Sequence, residues 1–311
     1  MAERIRSAAE RIRRRPLGIV TWVRRAVLRS EPLRGYALLS PTLGIMVLAL
    51  ALPVGVLITI SFWTQHYFEF DRTLTFLNYE EFFRKPVYRT VLWRSIGISA
   101  AVTSATVALA YPMAYFIAFR VKRHKLIWLM LITVPFWTSY LLRVFSWKII
   151  LGYNGVINSG LKSIGLIDQP LEFLLYNPTA VVITLAHAWA AFAILPIYVS
   201  LEKIDRSLLE AAADLGDGPL MRFLRVTLPL SLPGVSAASL LVFIPTVGDY
   251  VTPSLVGGPS GLMIGNIIQQ QFGRTNNWPL GAALSVTSMI TITVIVCVFL
   301  WSIKRARRRV A

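Results

Sequence analysis

Long apolar stretches alternate with short polar ones along most of this chain. Six stretches contain about 20 or more mostly apolar residues, the length that a helix needs to cross the hydrocarbon core of a bilayer. They are Tyr36–Trp63, Val91–Phe119, Leu126–Leu151, Pro178–Leu201, Leu230–Val256 and Leu280–Ile303. The pattern predicts an all-α polytopic membrane protein with six transmembrane helices.

Lys and Arg residues are concentrated in alternate connecting segments. Ten lie in residues 1–35, four in 120–125, four in 202–229 and five after Ile303, whereas the other connecting segments contain six. Because cytoplasmic segments are enriched in Lys and Arg, we expect both termini in the cytoplasm. The chain then divides into a cytoplasmic Arg-rich segment (1–35), a transmembrane domain (36–303) with a cytoplasmic loop at 202–229, and a basic cytoplasmic tail (304–311).

Composition narrows the function classes. Hydrophobic residues make up 55% of the chain, and the net charge is +17. A nucleic-acid binder carries its basic residues as a patch on a polar surface, whereas here most of them flank apolar stretches. We therefore expect this chain to lie in a lipid bilayer and to bind no nucleic acid. The single cysteine, Cys297, allows neither an intramolecular disulfide nor a multi-cysteine metal site.

The loop at 202–229 contains signals for two short helices. Ser207 precedes Glu210 by three residues, which is the spacing of a capping box at a helix start. Gly216 suits the end of that helix, and Pro219 suits the first position of a second one. Apolar side chains recur at helical spacing at Leu208, Leu209, Ala212 and Leu215. These signals predict a helical hairpin with an apolar face, which is either a solvated connection or a docking element.

The same loop resembles the EAA loop of bacterial ABC importer permeases. Glu210-Ala211-Ala212 is followed after three residues by Gly216, and after nine more by Val226-Thr227-Leu228-Pro229, with Val226 where the family has Ile. The resemblance implies that this loop is a coupling helix that docks in a cleft of an ATPase subunit. In that role Glu210 makes a polar contact, Ala211 and Ala212 permit close approach, Gly216 shapes the turn, and Leu228 and Pro229 complete the motif.

A search for an ATPase motif within the chain gives a negative result. A P-loop requires a Gly-Lys dipeptide, and this sequence contains none. We therefore expect no catalytic residues and no cofactor in this chain, with ATP and Mg bound by a partner ATPase.

Other motifs resemble the spermidine/putrescine subfamily, in particular the first permease chain of a putrescine system. They are Pro135-Phe136-Trp137-Thr138, Asn154-Gly155-Val156-Ile157-Asn158, Gly257-Gly258-Pro259 and Met263-Ile264-Gly265-Asn266. The resemblance implies that a polyamine crosses the bacterial inner membrane by ATP-driven alternating access. It also implies a second homologous permease chain, an ATPase dimer and a periplasmic or extracellular substrate-binding protein. Two alternatives are a permease of this type for ferric iron, thiamine or an opine, and an ATP-independent secondary transporter.

Asp249 is the one acidic residue within a predicted span. A carboxylate there costs about 2.5–3.5 kcal/mol on insertion scales, so it usually faces a cavity or a partner. Gly248 and the flanking Pro245 and Pro253 predict a broken helix at this point. Carboxylates and aromatic faces suit a polycation. The predicted lining of the substrate path is Asp249, Tyr250, Trp137 and Tyr140.

A structural role for Asp249 is the alternative. Arg143 is predicted to lie in the same outer half of the membrane, so the two side chains could form an ion pair.

Overall fold

The computed structural model describes residues 31–67 and 69–310. Within these residues, five helices are long and apolar enough to cross a membrane: Leu38–Ser61, Pro86–Arg120, Pro178–Glu202, Pro219–Val247 and Trp278–Arg305. A sixth candidate is a pair of helical segments, Lys125–Trp137 and Tyr140–Ser163, bent by 86°. These helices confirm the predicted all-α polytopic class, whereas the orientation of the termini stays a prediction.

Helices predominate in the described part of the chain, which also contains one pair of short strands. In chain order the elements are α1 (Glu31–Ser61), β1 (Thr64–His66), β2 (Glu69–Asp71), α2 (Leu77–Arg84), α3 (Pro86–Tyr115), α4 (Lys125–Thr133), α5 (Tyr140–Leu151), α6 (Val156–Ser163), α7 (Pro178–Glu202), α8 (Arg206–Asp214), α9 (Pro219–Arg222), α10 (Leu228–Val247), α11 (Ile264–Gly273) and α12 (Trp278–Val310). Three short π-helical turns lie between or beside these helices. One follows α3 (Phe116–Arg120), one joins α9 to α10 (Phe223–Thr227), and one precedes α11 (Pro253–Gly257).

The chain separates into two compact units at residue 59. In the first, the described residues form α1, which continues through Pro41 and Pro53. In the second, the principal core lies among α3, α7 and α10. Its most deeply buried members include Val102, Ala110, Val181, Leu185, Ile194, Ala238 and Val242. Ala110 and Ala238 are the small members of this set, and small residues favour helix association in a bilayer because they permit close van der Waals packing.

The predicted third span is not one straight helix. Residues 126–151 were expected to form it, but α4 ends at Thr133, a 3₁₀ turn covers Val134–Trp137, and α5 begins at Tyr140. Pro135 lies in that turn, lacks an N–H and crowds the preceding turn of a helix. The segment is therefore not one continuous helix: the chain bends by 86° here, and the bent pair is the sixth span if it crosses the membrane as one.

The predicted fifth span is displaced along the chain. It was expected at Leu230–Val256, but helical structure starts at Pro219 and α10 ends at Val247. The turn Phe223–Thr227 keeps the backbone helical through residues that were assigned to the preceding loop. Gly248 ends α10, so the predicted helix break beside Asp249 is confirmed.

A two-stranded antiparallel hairpin was not predicted. Thr64 pairs with Asp71, and His66 pairs with Glu69. The strands contain three residues each, too few for an alternating pattern to be recognised in the sequence.

Candidate functional site

Helix α8 of the 202–229 loop begins at a cap other than the predicted one. The Asp205 carboxylate accepts a hydrogen bond from the backbone N–H of Ser207 at 2.9 Å, and Ser207 itself lies inside the helix. The predicted Ser207–Glu210 capping box is therefore wrong. Asp205 takes the role because its backbone is extended and its short side chain reaches the second N–H of the helix. The same hydrogen bond lowers the pKa of the Asp205 carboxyl.

Gly216 ends α8, as predicted. Its φ is +90°, a conformation that side chains other than glycine's rarely adopt. The N–H of Asp217 donates to Ala212 O at 3.0 Å, and the N–H of Gly216 donates to Ala213 O at 2.9 Å. This pair of bonds is a Schellman motif, which satisfies the last carbonyl groups of the helix.

The second half of the hairpin starts where the sequence indicates. Gly218 caps the next helix, and Pro219 occupies its first turn. Arg225 Nη1 lies 2.9 Å from Asp217 Oδ1, and this ion pair joins the π-helical turn Phe223–Thr227 to the turn between the two helices of the hairpin. Residues 202–229 form a helical hairpin, called the "coupling hairpin" after its resemblance to the EAA loop.

Polar and apolar groups are both exposed on the coupling hairpin. Glu210 and Ala211 are exposed, whereas Ala212 is buried. Leu215 is 88% exposed and Leu220 is 72% exposed. The predicted apolar face is therefore divided, with Ala212 packed inward and Leu215 facing outward. Leu228 and Pro229 are half-buried where α10 begins. Leu215 and Leu220 are therefore large apolar side chains on the surface of the hairpin.

Asp249 lies just after the end of α10 and is held by two hydrogen bonds. Tyr140 Oη donates to Asp249 Oδ2 at 2.7 Å, and the N–H of Val251 donates to Asp249 Oδ1 at 3.0 Å. Tyr140 Oη also lies 2.6 Å from Thr252 Oγ1. The carboxylate is therefore positioned between the start of α5 and the turn after α10.

A cavity of about 380 Å³ opens beside this carboxylate. Of the four residues predicted to line a path, Asp249, Tyr140 and Tyr250 line this "Asp249 cavity". Trp137 is not among its lining residues and is 85% exposed at the end of the 3₁₀ turn. Trp189 and Phe192 on α7 also line it and were not predicted, because an aromatic residue in an apolar span carries no signal for its direction.

Arg143 lines the same cavity without pairing with Asp249. Its guanidinium lies 4.6 Å from the centre of the Phe136 ring, and Nη1 donates to Ala188 O at 3.3 Å. The salt bridges among residues 31–67 and 69–310 do not include one between Arg143 and Asp249. One carboxylate and one guanidinium therefore line this cavity, and each contacts its own set of residues and not the other. Within those described ranges, no cluster of three His, Cys, Asp or Glu residues suits a metal ion.

Comparisons with known proteins give a consistent result. Residues 106–310 match the family model described as binding-protein-dependent transport system inner membrane component. The chain is 37% identical over 262 residues to the spermidine/putrescine transport system permease protein PotB of Escherichia coli (strain K12), covering 84% of this chain and 94% of that protein. Against PotB of Haemophilus influenzae the identity is 34% over 262 residues, covering 83% and 90%.

The fold is similar to that of a solved ABC transporter chain. A chain from the crystal structure of a bacterial alginate ABC transporter, in complex with its alginate pentasaccharide-bound periplasmic protein, superimposes with a TM-score of 0.64. The superposition covers 88% of this chain and 94% of the solved chain. The sequence identity is 18%, so the similarity shows the fold alone.

Proposed function

This chain belongs to the family of binding-protein-dependent transport system inner membrane components, and from that membership we propose that its cargo is a polyamine such as putrescine or spermidine. It is a multi-pass permease subunit of the bacterial inner membrane, and in such ABC systems the ATPase is a separate subunit. The observation that supports a polyamine as the cargo is the 37% identity to PotB over 94% of that protein.

The geometry of the Asp249 cavity supports a cationic cargo. A carboxylate held by Tyr140 and Val251 faces a cavity at a helix break, with the aromatic side chains of Tyr250 and Trp189 beside it. An ammonium group binds well to a carboxylate and to the face of an aromatic ring. We therefore infer that Asp249, Tyr140 and Tyr250 contact the cargo during its passage.

The coupling hairpin supports contact with an ATPase. Its capped helices project Glu210, Leu215 and Leu220 to the surface. In the proposed complex, a dimer of ATPase subunits binds ATP and Mg and accepts the hairpin on the cytoplasmic side. A second permease chain completes the path, and a binding protein delivers cargo from outside. Closure of the ATPase dimer moves the hairpins, and the spans rock to turn the cavity outward.

Substituting Glu210 tests this function. We expect Glu210→Ala to lower ATP-driven uptake of radiolabelled putrescine and spermidine in proteoliposomes by about tenfold or more, the effect of losing one charge-assisted hydrogen bond. Glu80→Ala removes an exposed carboxylate outside the hairpin and is the matched control. Immunoblots of membranes check that both variants insert equally.

Three results would count against the proposal. Uptake without ATP and the ATPase subunit indicates a secondary transporter. Uptake by Glu210→Ala equal to that of Glu80→Ala removes the coupling role. A binding protein that retains ferric iron, thiamine or an opine in place of polyamines assigns another cargo.

A further inference from the structure

A second cavity adjoins the Asp249 cavity. It has a volume of about 440 Å³, and its walls include Gly265, Ile268, Gln269 and Phe272 from α11. Gly248 and Tyr250 line both cavities. The side chain of Tyr250 is therefore part of a wall common to the two spaces.

The packing of α11 against the helix break positions Tyr250. A Cβ atom at Gly265 would lie 2.6 Å from Gly248 O and 2.9 Å from Asp249 O, so only glycine permits this approach. Asn266 Nδ2 donates to Tyr250 O at 2.8 Å and to Ser254 Oγ at 2.7 Å. Asn266 is 9% exposed, so these are hydrogen bonds with little access to water. They hold the backbone of Tyr250 beside both cavities.

The charges in the Asp249 cavity limit what that cavity can bind. Asp249 is the one carboxylate among its lining residues, and Arg143 is a positive charge that lines the same space. One ammonium group is balanced by Asp249, but a second ammonium in the same space would be repelled by Arg143. A polyamine has at least two ammonium groups, so the second one must lie elsewhere.

The second cavity has the groups that such an ammonium needs. Of the described residues that line it, none carries a charge. The rings of Tyr250 and Phe272 are suited to cation–π contacts, and the amide of Gln269 has an acceptor oxygen. The final carbonyl groups of α10 lie beside Gly248, and the C-terminal end of a helix carries a partial negative charge.

We propose that the second cavity is a second cation subsite, which holds one ammonium of a polyamine while Asp249 holds another. The alkyl chain between them passes Tyr250, which is 47% exposed. This assignment rests on the proposed function, because it presumes a cargo with two or more ammonium groups. It makes the permease, and not the binding protein alone, sensitive to the length of the cargo.

Filling the second cavity tests the assignment. Gly273 lines it, and a Cβ atom there meets only Gln269 Nε2 at 3.5 Å, an ordinary contact. Gly273→Leu is therefore expected to fold and to occupy the space. We expect it to lower ATP-driven uptake of putrescine and spermidine about two- to fivefold, on the scale of a lost cation–π contact at a solvent-exposed ring. Gly97→Leu is the control, since a Cβ atom at that helical glycine has no neighbour within 4 Å.

Cysteine protection gives a second measurement that does not depend on turnover. In a Cys297→Ser background, Gln269→Cys places the one thiol in the second cavity. We expect spermidine to slow labelling of the reconstituted complex by a cationic thiol reagent. Propylamine, a monoamine, is expected to give weaker protection at the same concentration, because its one ammonium group is attracted more strongly to the Asp249 carboxylate than to the uncharged second cavity.

The outcomes separate this assignment from the proposed function. If the unmodified complex takes up no polyamine, the proposed function fails. If uptake is normal but Gly273→Leu matches Gly97→Leu, the second subsite is refuted. Equal protection by propylamine and spermidine, or no protection by spermidine, refutes it as well.

Discussion

Gly234 lies where α10 crosses α7, and one added methyl group is expected to force the two helices apart. A Cβ atom at residue 234 would lie 2.4 Å from Ser200 Cβ and 2.5 Å from Pro196 O. Carbon atoms pack at about 3.5–4.0 Å, so relieving the contact requires a movement of about 1 Å. Because the backbone of Pro196 is one of the atoms in the way, a change of rotamer cannot supply that movement. Overpacking of this kind costs about 1–3 kcal/mol.

The consequence extends beyond stability. Helix α7 ends at Glu202, and α10 is continuous with the helical segment that starts at Pro219, so these two helices hold both ends of the coupling hairpin. A displaced crossing point changes the position of the hairpin relative to the spans. We therefore expect Gly234→Ala to lower both thermal stability and ATP-driven uptake.

A matched substitution makes the measurement specific. Gly97→Ala adds the same methyl group to α3, where no atom lies within 4 Å of the new Cβ. Since Ala favours a helix by up to about 1 kcal/mol over Gly, this control should be neutral or stabilising. Thermal unfolding of the purified complex in detergent and uptake in proteoliposomes compare the two variants. Equal unfolding temperatures and equal uptake would show that the α7–α10 contact is not as tight as the distances indicate.

Further predictions concern the helix break and the cap of the coupling hairpin. Asp249→Asn is expected to weaken polyamine uptake more than assembly of the complex, whereas loss of assembly on size-exclusion chromatography would assign Asp249 a structural role. Tyr140→Phe removes the O–H donor to Asp249, and we expect a loss of about 1.5–3 kcal/mol of stability, measured by thermal unfolding. Asp205→Ala should speed amide hydrogen exchange at Ser207, while exchange in α12 stays unchanged. The pKa of the Asp205 carboxyl is lowered in the folded protein. The stability that this cap gives to α8 is therefore complete above the ordinary pKa of about 3.9, and it is lost as the pH falls through the lowered pKa. The exchange rate at Ser207, corrected for intrinsic pH dependence, should therefore rise below about pH 4 in the unsubstituted chain alone.

Local properties of the sequence determined much of what the structure shows. The lengths of apolar runs predicted the spans because the bilayer sets a minimum length that any stretch must meet. Gly216 and Pro219 predicted a helix end and a helix start correctly, since φ preference belongs to the residue itself. The break after Gly248 was predicted from this glycine and the flanking prolines, although Gly248 keeps a φ of −88° that any residue can adopt.

Proline positions show where local reasoning stops. Pro196 lies inside α7 and Pro233 inside α10, whereas Pro135 ends a helix and turns the chain. Neighbouring helices can satisfy the groups that a proline leaves free, so packing and not the residue decides between a helix and a bend. The sequence alone does not contain that packing.

Side-chain partners in the site were decided by tertiary structure. Tyr140 was predicted to line the substrate path together with Asp249, and Arg143 to lie in the same outer half of the membrane. Which of the two bonds to Asp249 depends on how α5 packs after the bend. The second cavity exists because Gly265 allows α11 to approach the broken end of α10. Such contacts join residues far apart in the chain, and their geometry is fixed only when whole helices pack, so no local pattern encodes them.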